Sequence, residues 1–247
     1  MAESLNIVIP MAGRGSRFVA AGYDVPKPFI DVHGRPMIGW VVENLRPSRE
    51  HRFIFLCLAE HREHFGALEA IAPDAEIIVV DRVTEGAACT VLLARELIDT
   101  GAPLMIANSD QWVDMSIDPY LDAAEDPELT GLIMTMRADD PKWSFARLDE
   151  DGFVAEVVEK VVVSDEATVG IYNFARGADY VRAADAMIAA DERVTGEFYV
   201  APTYNQLIAE GARIGVYNVG DVEDGMYGLG TPADLEAFLR APVSQQR

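Results

Sequence analysis

An α/β fold built on a mixed, mainly parallel sheet is what three features of this sequence predict. Through residue 107, strand-like apolar runs alternate with segments of helical apolar spacing, the signature of βαβ units. From Leu129 the apolar runs are joined by short connections, so a more antiparallel set of strands follows. The chain has 247 residues, half of them hydrophobic, which is enough for one sizeable core. A single domain over 1–240 is expected, its halves meeting near 128, with a frayed tail over 241–247.

Leu5 to Pro10 reads as the first buried strand, and it ends abruptly in a loop holding Gly13 and Gly15. Glycines there let backbone N–H groups come close to a ligand. Arg17 adds a planar fork of donors suited to phosphate oxygens. Lys27 adds a compact charge, its backbone restricted between Pro26 and Pro28. The stretch is not a dinucleotide fingerprint, because Phe18 stands where the third glycine would, and no Gly-Lys-Ser/Thr follows to make a P-loop. For the glycines alone, a plain strand-to-helix turn is the default reading.

Phe29 to Val32 is expected to be extended, with a turn at His33-Gly34 and a helix from Pro36 that buries Ile38, Val41, Val42 and Leu45. Arg52 to Leu58 is a second strand and Glu60 to Ile71 a charged helix. His61 and His64 lack the spacing of a zincin motif and read as part of a solvated face. Glu76 to Val80 is a third strand. Gly86 then opens a helix with Ala87, Val91, Ala94 and Ile98 on one face.

Pro103 to Ala107 is another buried strand, with Asn108-Ser109-Asp110 at its carboxyl end, where ligands of parallel sheets collect. In isolation Asp110 reads as a turn former or helix cap. Strands follow at Leu132–Met136, Phe145–Leu148, Val154–Val158 and Thr168–Phe174, the third after the Asp151-Gly152 turn. Glu159-Lys160 reads in isolation as a surface pair, Lys142 as a plain surface residue, and Trp143 and Tyr172 as core residues in preference to lining residues of an acceptor pocket. Helices are expected over Gly177–Ala190, over Val200–Glu210 and from Thr231-Pro232.

A net charge of −21 argues against nucleic acid as a partner but leaves small phosphorylated substrates open. No apolar run approaches 18 residues and no charged segment precedes a long apolar one, so a membrane span and secretion are not expected. Cys57 and Cys89 lie far apart inside apolar stretches, which suits the cytoplasm and suggests neither a disulfide framework nor a zinc site. The chain carries 17 arginines and three lysines, Lys27, Lys142 and Lys160, so a lysine is itself a minor signal.

Taken together, Gly13-x-Gly15-x-Arg17 and the later Pro26-Lys27 resemble the N-terminal signature of the nucleotidyltransferases, which include sugar-1-phosphate nucleotidylyltransferases and cytidylyltransferases. The resemblance implies a Rossmann-like three-layer αβα nucleotidyltransferase (nucleotide-diphospho-sugar transferase) fold. It implies transfer of NMP from an NTP to a sugar 1-phosphate or other small phosphorylated acceptor, with release of pyrophosphate. The first half of the chain would bind the nucleotide through Met11, Ala12, Gly13, Arg14, Gly15, Ser16, Gly86 and Asn108. Arg17, Lys27 and Asp110 would be catalytic, with Asp110 holding Mg²⁺.

The second half would bind the acceptor through Glu159, Lys160, Gly170 and Glu197, although Glu197 reads equally as a helix-start charge. No glutamine precedes Gly86 where relatives carry one, so CTP, UTP and dTTP stay open. Relatives also place a second metal-binding Asp where this chain has Gly228, leaving Asp221 or Asp224 as substitutes, or Asp110 with fewer protein ligands. A glycosyltransferase of related fold would be expected to carry Asp-x-Asp where this chain has Asn108-Ser109-Asp110. A non-catalytic nucleotide-binding module would leave Arg17, Lys27, Asp110 and Lys160 unexplained. Homo-oligomerisation is left open.

Overall fold

In the computed structural model, which describes residues 4–245, the first strand sets the layering. Alternate residues of β1 (Leu5–Met11) enter different cores: Ile7 and Ile9 join one, Val8 the other. A strand of period two buried on both faces needs helices on both sides, and this gives the three-layer αβα arrangement.

The chain continues through α1 (Ser16–Ala20), the small hairpin β2 (Asp31–Val32) and β3 (Arg35–Pro36), and α2 (Met37–Leu45). Then come β4 (His51–Leu58), α3 (Phe65–Ile71) and β5 (Glu76–Val80). The helix expected from Ala87 to Ile98 is broken into α4 (Ala87–Val91), a 3₁₀ turn and α5 (Arg95–Ile98). β6 (Leu104–Ala107), β7 (Gln111–Val113) and α6 (Asp118–Ala124) complete the first half. The second half holds β8 (Gly131–Arg137), β9 (Ser144–Leu148), β10 (Val154–Glu159), β11 (Glu166–Phe174) and α7 (Gly177–Ala189). It closes with α8 (Tyr204–Ala209), β12 (Ile214–Val222), β13 (Gly225–Gly228), α9 (Pro232–Arg240) and α10 (Pro242–Gln245).

The strands line up as β5-β4-β1-β6-β11-β8-β12-β13-β7, and β9 joins β10 to β11 beside this path. β5, β4, β1 and β6 pair in parallel, β11 runs against β6 and β8, and β12 lies parallel to β8. The short-connected strands β8 to β11 thus pair antiparallel as expected, and β12, reached through α7 and α8, adds a parallel neighbour to β8. The chain moves outward from β1 to β4 and β5, then crosses to β6 on the other side of β1. That reversal opens a crevice at the carboxyl ends of β1 and β6.

Two expectations need correction, and one strand was not expected at all. Residues from 241 do not fray at once: 242–245 are helical, with Ser244 buried and at 3.1 Å from His33 Nε2, while Gln246 and Arg247 lie outside the described residues. His61 is buried rather than solvated, and His64 stacks on Phe29, so both rings serve as packing. β12, for which no expectation was formed, sits inside the sheet; its Gly215, Asn218 and Gly220 dilute the apolar signal.

Candidate active site

The loop after β1 leads into α1, and Phe18 anchors that short helix by burying its ring against Tyr23. A Cβ on Gly15 would stand 2.9 Å from Lys27 Cβ, so the glycine lets the lysine lie directly against the loop. Lys27 begins a 3₁₀ turn and donates from Nζ to Asp110 Oδ2 across the crevice. Each side chain of that pair is 18% exposed, which leaves the ion pair reachable by a ligand. Buried Asn44 of α2 fixes the next segment: its amide donates to the Val113 carbonyl and accepts from the Val113 N–H, both at 2.9 Å. Leu229 N–H donates to the Asp110 carbonyl at 2.7 Å, which draws the β13–α9 connection beside Asp110.

A cavity of about 340 Å³ opens there. Of the residues predicted from sequence, Arg17, Asn108, Asp110, Glu159, Lys160, Gly170 and Glu197 line it, and Lys27 reaches it through Asp110. Met11 and Ala12 are buried beneath the loop, Gly13 and Ser16 are exposed on it, and Arg14 opens onto a separate depression with Asp81 and Arg82. Gly86 is not among the lining residues. Its φ of +132° and the overlap that a Cβ would make with the backbone of Phe198 explain the glycine, and neighbouring Ala87 lines the cavity instead.

The far wall comes from β10, β11 and the segment before β9. Glu159 is 7% exposed and accepts a hydrogen bond from the Ser144 hydroxyl. Burial pushes its carboxyl above the ordinary value; the Ser144 hydrogen bond and Lys160 pull it down, and Glu197 pushes it up. Lys160 adopts a left-handed backbone, φ 60°, uncommon for a residue with a side chain. Its N–H donates to the Trp143 carbonyl at 3.0 Å, and its Nζ donates to the Tyr199 hydroxyl and to Thr195 Oγ1 at 3.3 Å. Strained backbones of this kind concentrate at functional sites.

Several lining residues were not assigned from sequence. Lys142 is exposed and Trp143 packs against the core, as expected, and both also line the cavity, as does buried Tyr172. Gln111, Ser144, Thr168 and Tyr199 join them because β7, β9, β11 and the turn before α8 converge there. The most consequential is Asp234. Neither Asp221 nor Asp224 lines the cavity, and Asp221 is held outside by Arg137. A Cβ on Gly228 would meet the Asp234 carboxyl at 3.6–3.8 Å, and one on Gly230 would stand 2.9 Å from Asp110 Oδ2 and 4.0 Å from Asp234 Oδ2. Asp234 thus presents its carboxylate where a side chain from position 228 would point. The Thr231 hydroxyl donates to it at 2.7 Å and accepts from its N–H at 3.1 Å, a helix-capping arrangement. The Thr-x-x-Asp spacing was the available signal, and it reads as a cap.

The oxygens of Asp110 and Asp234 suit a hard divalent cation, which takes carboxylates together with substrate phosphates. Among the described residues no group of three or more His, Cys, Asp or Glu is placed to hold a metal, so phosphates would have to complete the shell. No helix among the described residues is long and apolar enough to cross a membrane.

Comparison with known proteins finds a family and several relatives for the chain. Residues 7–200 match the Nucleotidyl transferase family. The 2-C-methyl-D-erythritol 4-phosphate cytidylyltransferase of Pseudomonas aeruginosa is 32% identical over 198 residues, covering 74% of this chain and 76% of the relative. A nucleoside-diphosphate-sugar pyrophosphorylase from Vibrio cholerae superposes with a TM-score of 0.79 at 26% identity, over 95% of this chain and 99% of the other. An inositol-1-phosphate CTP transferase from T. maritima shares the fold at a TM-score of 0.76 and 13% identity, over 99% and 96% of the two chains.

Proposed function

The chain belongs to the nucleotidyl transferase family, and from that premise we propose that it transfers NMP from an NTP to a sugar 1-phosphate, releasing pyrophosphate. The observation that carries this reading is the convergence of Arg17 and the Lys27–Asp110 pair on one wall of a cleft with Glu159 and Lys160 on the other.

In the reaction the acceptor phosphate attacks the α-phosphorus in line and pyrophosphate leaves. The second pKa of a phosphate monoester is near ~6, so the nucleophile is largely a dianion at neutral pH and needs no general base. Alignment and charge neutralisation remain for the protein. Arg17 would hold the departing pyrophosphate. Lys27, now paired with Asp110, would turn to the α-phosphate as the nucleotide arrives. Lys160 would hold the acceptor phosphate, and Glu159 and Glu197 would meet the acceptor's hydroxyls. Asp110 and Asp234 would hold Mg²⁺, which when bound neutralises charge on the phosphates.

The identity with the Pseudomonas cytidylyltransferase favours CTP and keeps a non-sugar phosphate as a second reading of the acceptor. Cys57 and Cys89 are both unpaired, in keeping with the reducing cytoplasm as the site of action. The test is pyrophosphate release from CTP, UTP or dTTP with Mg²⁺ and a panel of sugar 1-phosphates and small phosphates. Release with a sugar 1-phosphate is expected. Nucleotide binding without release for any pair would replace an enzyme with a binding module, and glycosyl transfer without an NTP would replace it with a glycosyltransferase.

A further inference from the structure

Two buried polar atoms on residues that line the cleft are left without partners. Gln111 is 9% exposed, and its Oε1 is buried with no hydrogen-bond donor; Trp143 Nε1 is buried with no acceptor. Both residues line the 340 Å³ cavity. Leaving a buried donor or acceptor unmade is costly, so a pair of them on residues that line one cavity points to a ligand that supplies the missing groups.

The placement of Gln111 is built into the fold. Gln111 pairs with Gly228 in the β7–β13 ladder. On the opposite side Gly170 stands in an irregular stretch of β11 with φ +88°, and a Cβ there would overlap both Gln111 Oε1 and Asn108 Nδ2. Only a residue without a side chain lets the two amides converge at this point.

We propose that Gln111 and Trp143 select an acceptor phosphate whose distal end carries hydroxyl groups, and exclude acceptors ending in an ammonium group. The proposal rests on the nucleotidyl-transfer reading and narrows its acceptor. A hydroxyl both donates, as Gln111 Oε1 requires, and accepts, as Trp143 Nε1 requires. A primary ammonium only donates, and a trimethylammonium does neither. Quaternary ammonium groups are recognised by open aromatic faces. Here Lys142 Nζ stands 4.9 Å from the Trp143 ring centroid and Lys160 Nζ 4.4 Å from that of Tyr199, so a cation already occupies a face of each ring.

The experiment is calorimetric titration of the full chain with Mg²⁺ and the α,β-methylene analogue of CTP or UTP. The probes are α-D-glucose 1-phosphate, myo-inositol 1-phosphate, phosphoethanolamine and phosphocholine. At least one hydroxylated phosphate should bind more tightly than both ammonium phosphates. Gln111→Leu and Trp143→Phe should each weaken it about ten-fold or more, the usual scale for an unpaired buried group, and leave phosphocholine within two-fold. Gly170→Ala, which pushes the Gln111 amide aside, should reproduce the Gln111→Leu loss. Circular dichroism and urea midpoints establish that each variant is folded.

Equal or tighter binding of phosphocholine or phosphoethanolamine overturns the proposal. So does absence of binding by both hydroxylated probes, or a Gln111→Leu affinity within two-fold of the parent. Gln111-dependent binding without pyrophosphate release would break the reaction assigned above and leave this inference standing. Turnover that is indifferent to Gln111 would do the reverse.

Discussion

The two walls of the cleft are made in opposite ways. On the nucleotide wall Arg17 is exposed, and among the described residues no ion pair or side-chain hydrogen bond holds it, whereas Lys27 is held by Asp110. On the acceptor wall the groups are buried or half-buried and already bonded: Glu159 to Ser144, half-buried Lys160 to Tyr199, Tyr172 to Thr168 at 3.0 Å. An exposed cation held by nothing costs little to the fold and is available for a polyanion that brings its own charge and counter-ion. A neutral sugar hydroxyl offers far less, so the groups that read it must be fixed beforehand by packing. The nucleotide wall should therefore show its importance in rate and the acceptor wall in affinity and stability.

The largest effect expected is on the nucleotide wall. Arg17→Ala and Lys27→Ala should each lower turnover by ~10²-fold or more, the scale of a lost transition-state charge contact. Arg17→Ala should shift stability by under ~0.5 kcal/mol, as for other exposed positions. Steady-state kinetics beside urea denaturation checks both halves, and near-wild-type turnover by Arg17→Ala would remove the assignment. Next in size, Asp234→Asn should weaken metal binding about ten-fold, because affinity for hard cations follows ligand charge. Mn²⁺ titration followed by electron paramagnetic resonance, with a non-transferable nucleotide present, reads that loss directly. Unchanged Mn²⁺ affinity would return Asp234 to its role as the partner of the Thr231 cap of α9.

The same contrast decides what the sequence reveals. The nucleotide wall is legible because one loop and one strand end supply it, within Gly13–Lys27 and Asn108–Asp110, and a glycine, an arginine and a lysine advertise their chemistry at short range. The acceptor wall draws Gln111, Trp143 with Ser144, Tyr172 and Tyr199 from four separate segments. None carries a local signature, since each reads as an ordinary strand, core or turn residue until β9, β10 and β11 fold together. Asp234 was hidden by its second occupation as the partner of the Thr231 cap, and Gly86 has a conformation that serves the Phe198 backbone. In the fold, the parallel half was readable from apolar runs buried on both faces, whereas β12 was not, because polar and glycine residues break its pattern.

A carboxylate outside the cleft sharpens the comparison. Asp179 of α7 is 2% exposed; burial pushes its carboxyl up, but hydrogen bonds and charge from Arg176 and Arg182 outweigh it and hold it below the ordinary value. A lowered carboxyl contributes stability above the unfolded pKa of ~3.9 and loses it as pH falls through the folded value. Asp179→Asn should therefore cost ~1–3 kcal/mol near neutrality, the range for hydrogen bonds to a charged group, and progressively less towards pH 3. Urea midpoints measured from pH 3 to 7 would show the gap between parent and variant narrowing with acid. A constant gap would mean that the charge on Asp179 contributes nothing.

Glu159 should slope the other way, with the smallest effect. Its carboxyl is raised by burial despite Ser144 and Lys160, so its contribution is full below the unfolded pKa of ~4.3 and is lost as pH rises through the folded value. Near neutrality the buried charge opposes folding, and Glu159→Gln, which keeps an oxygen for the Ser144 hydroxyl, should raise stability by under ~1 kcal/mol there. The advantage should vanish near pH 4. The same variant should bind the hydroxylated acceptor more weakly, since an amide oxygen accepts less strongly than a carboxylate. A substitution that stabilises the fold while weakening the ligand marks a residue kept for binding rather than for structure. If Glu159→Gln instead loses stability at pH 7, Glu159 belongs with Asp179 as a structural anchor, and the acceptor wall is no longer the part of the fold that sacrifices stability for recognition.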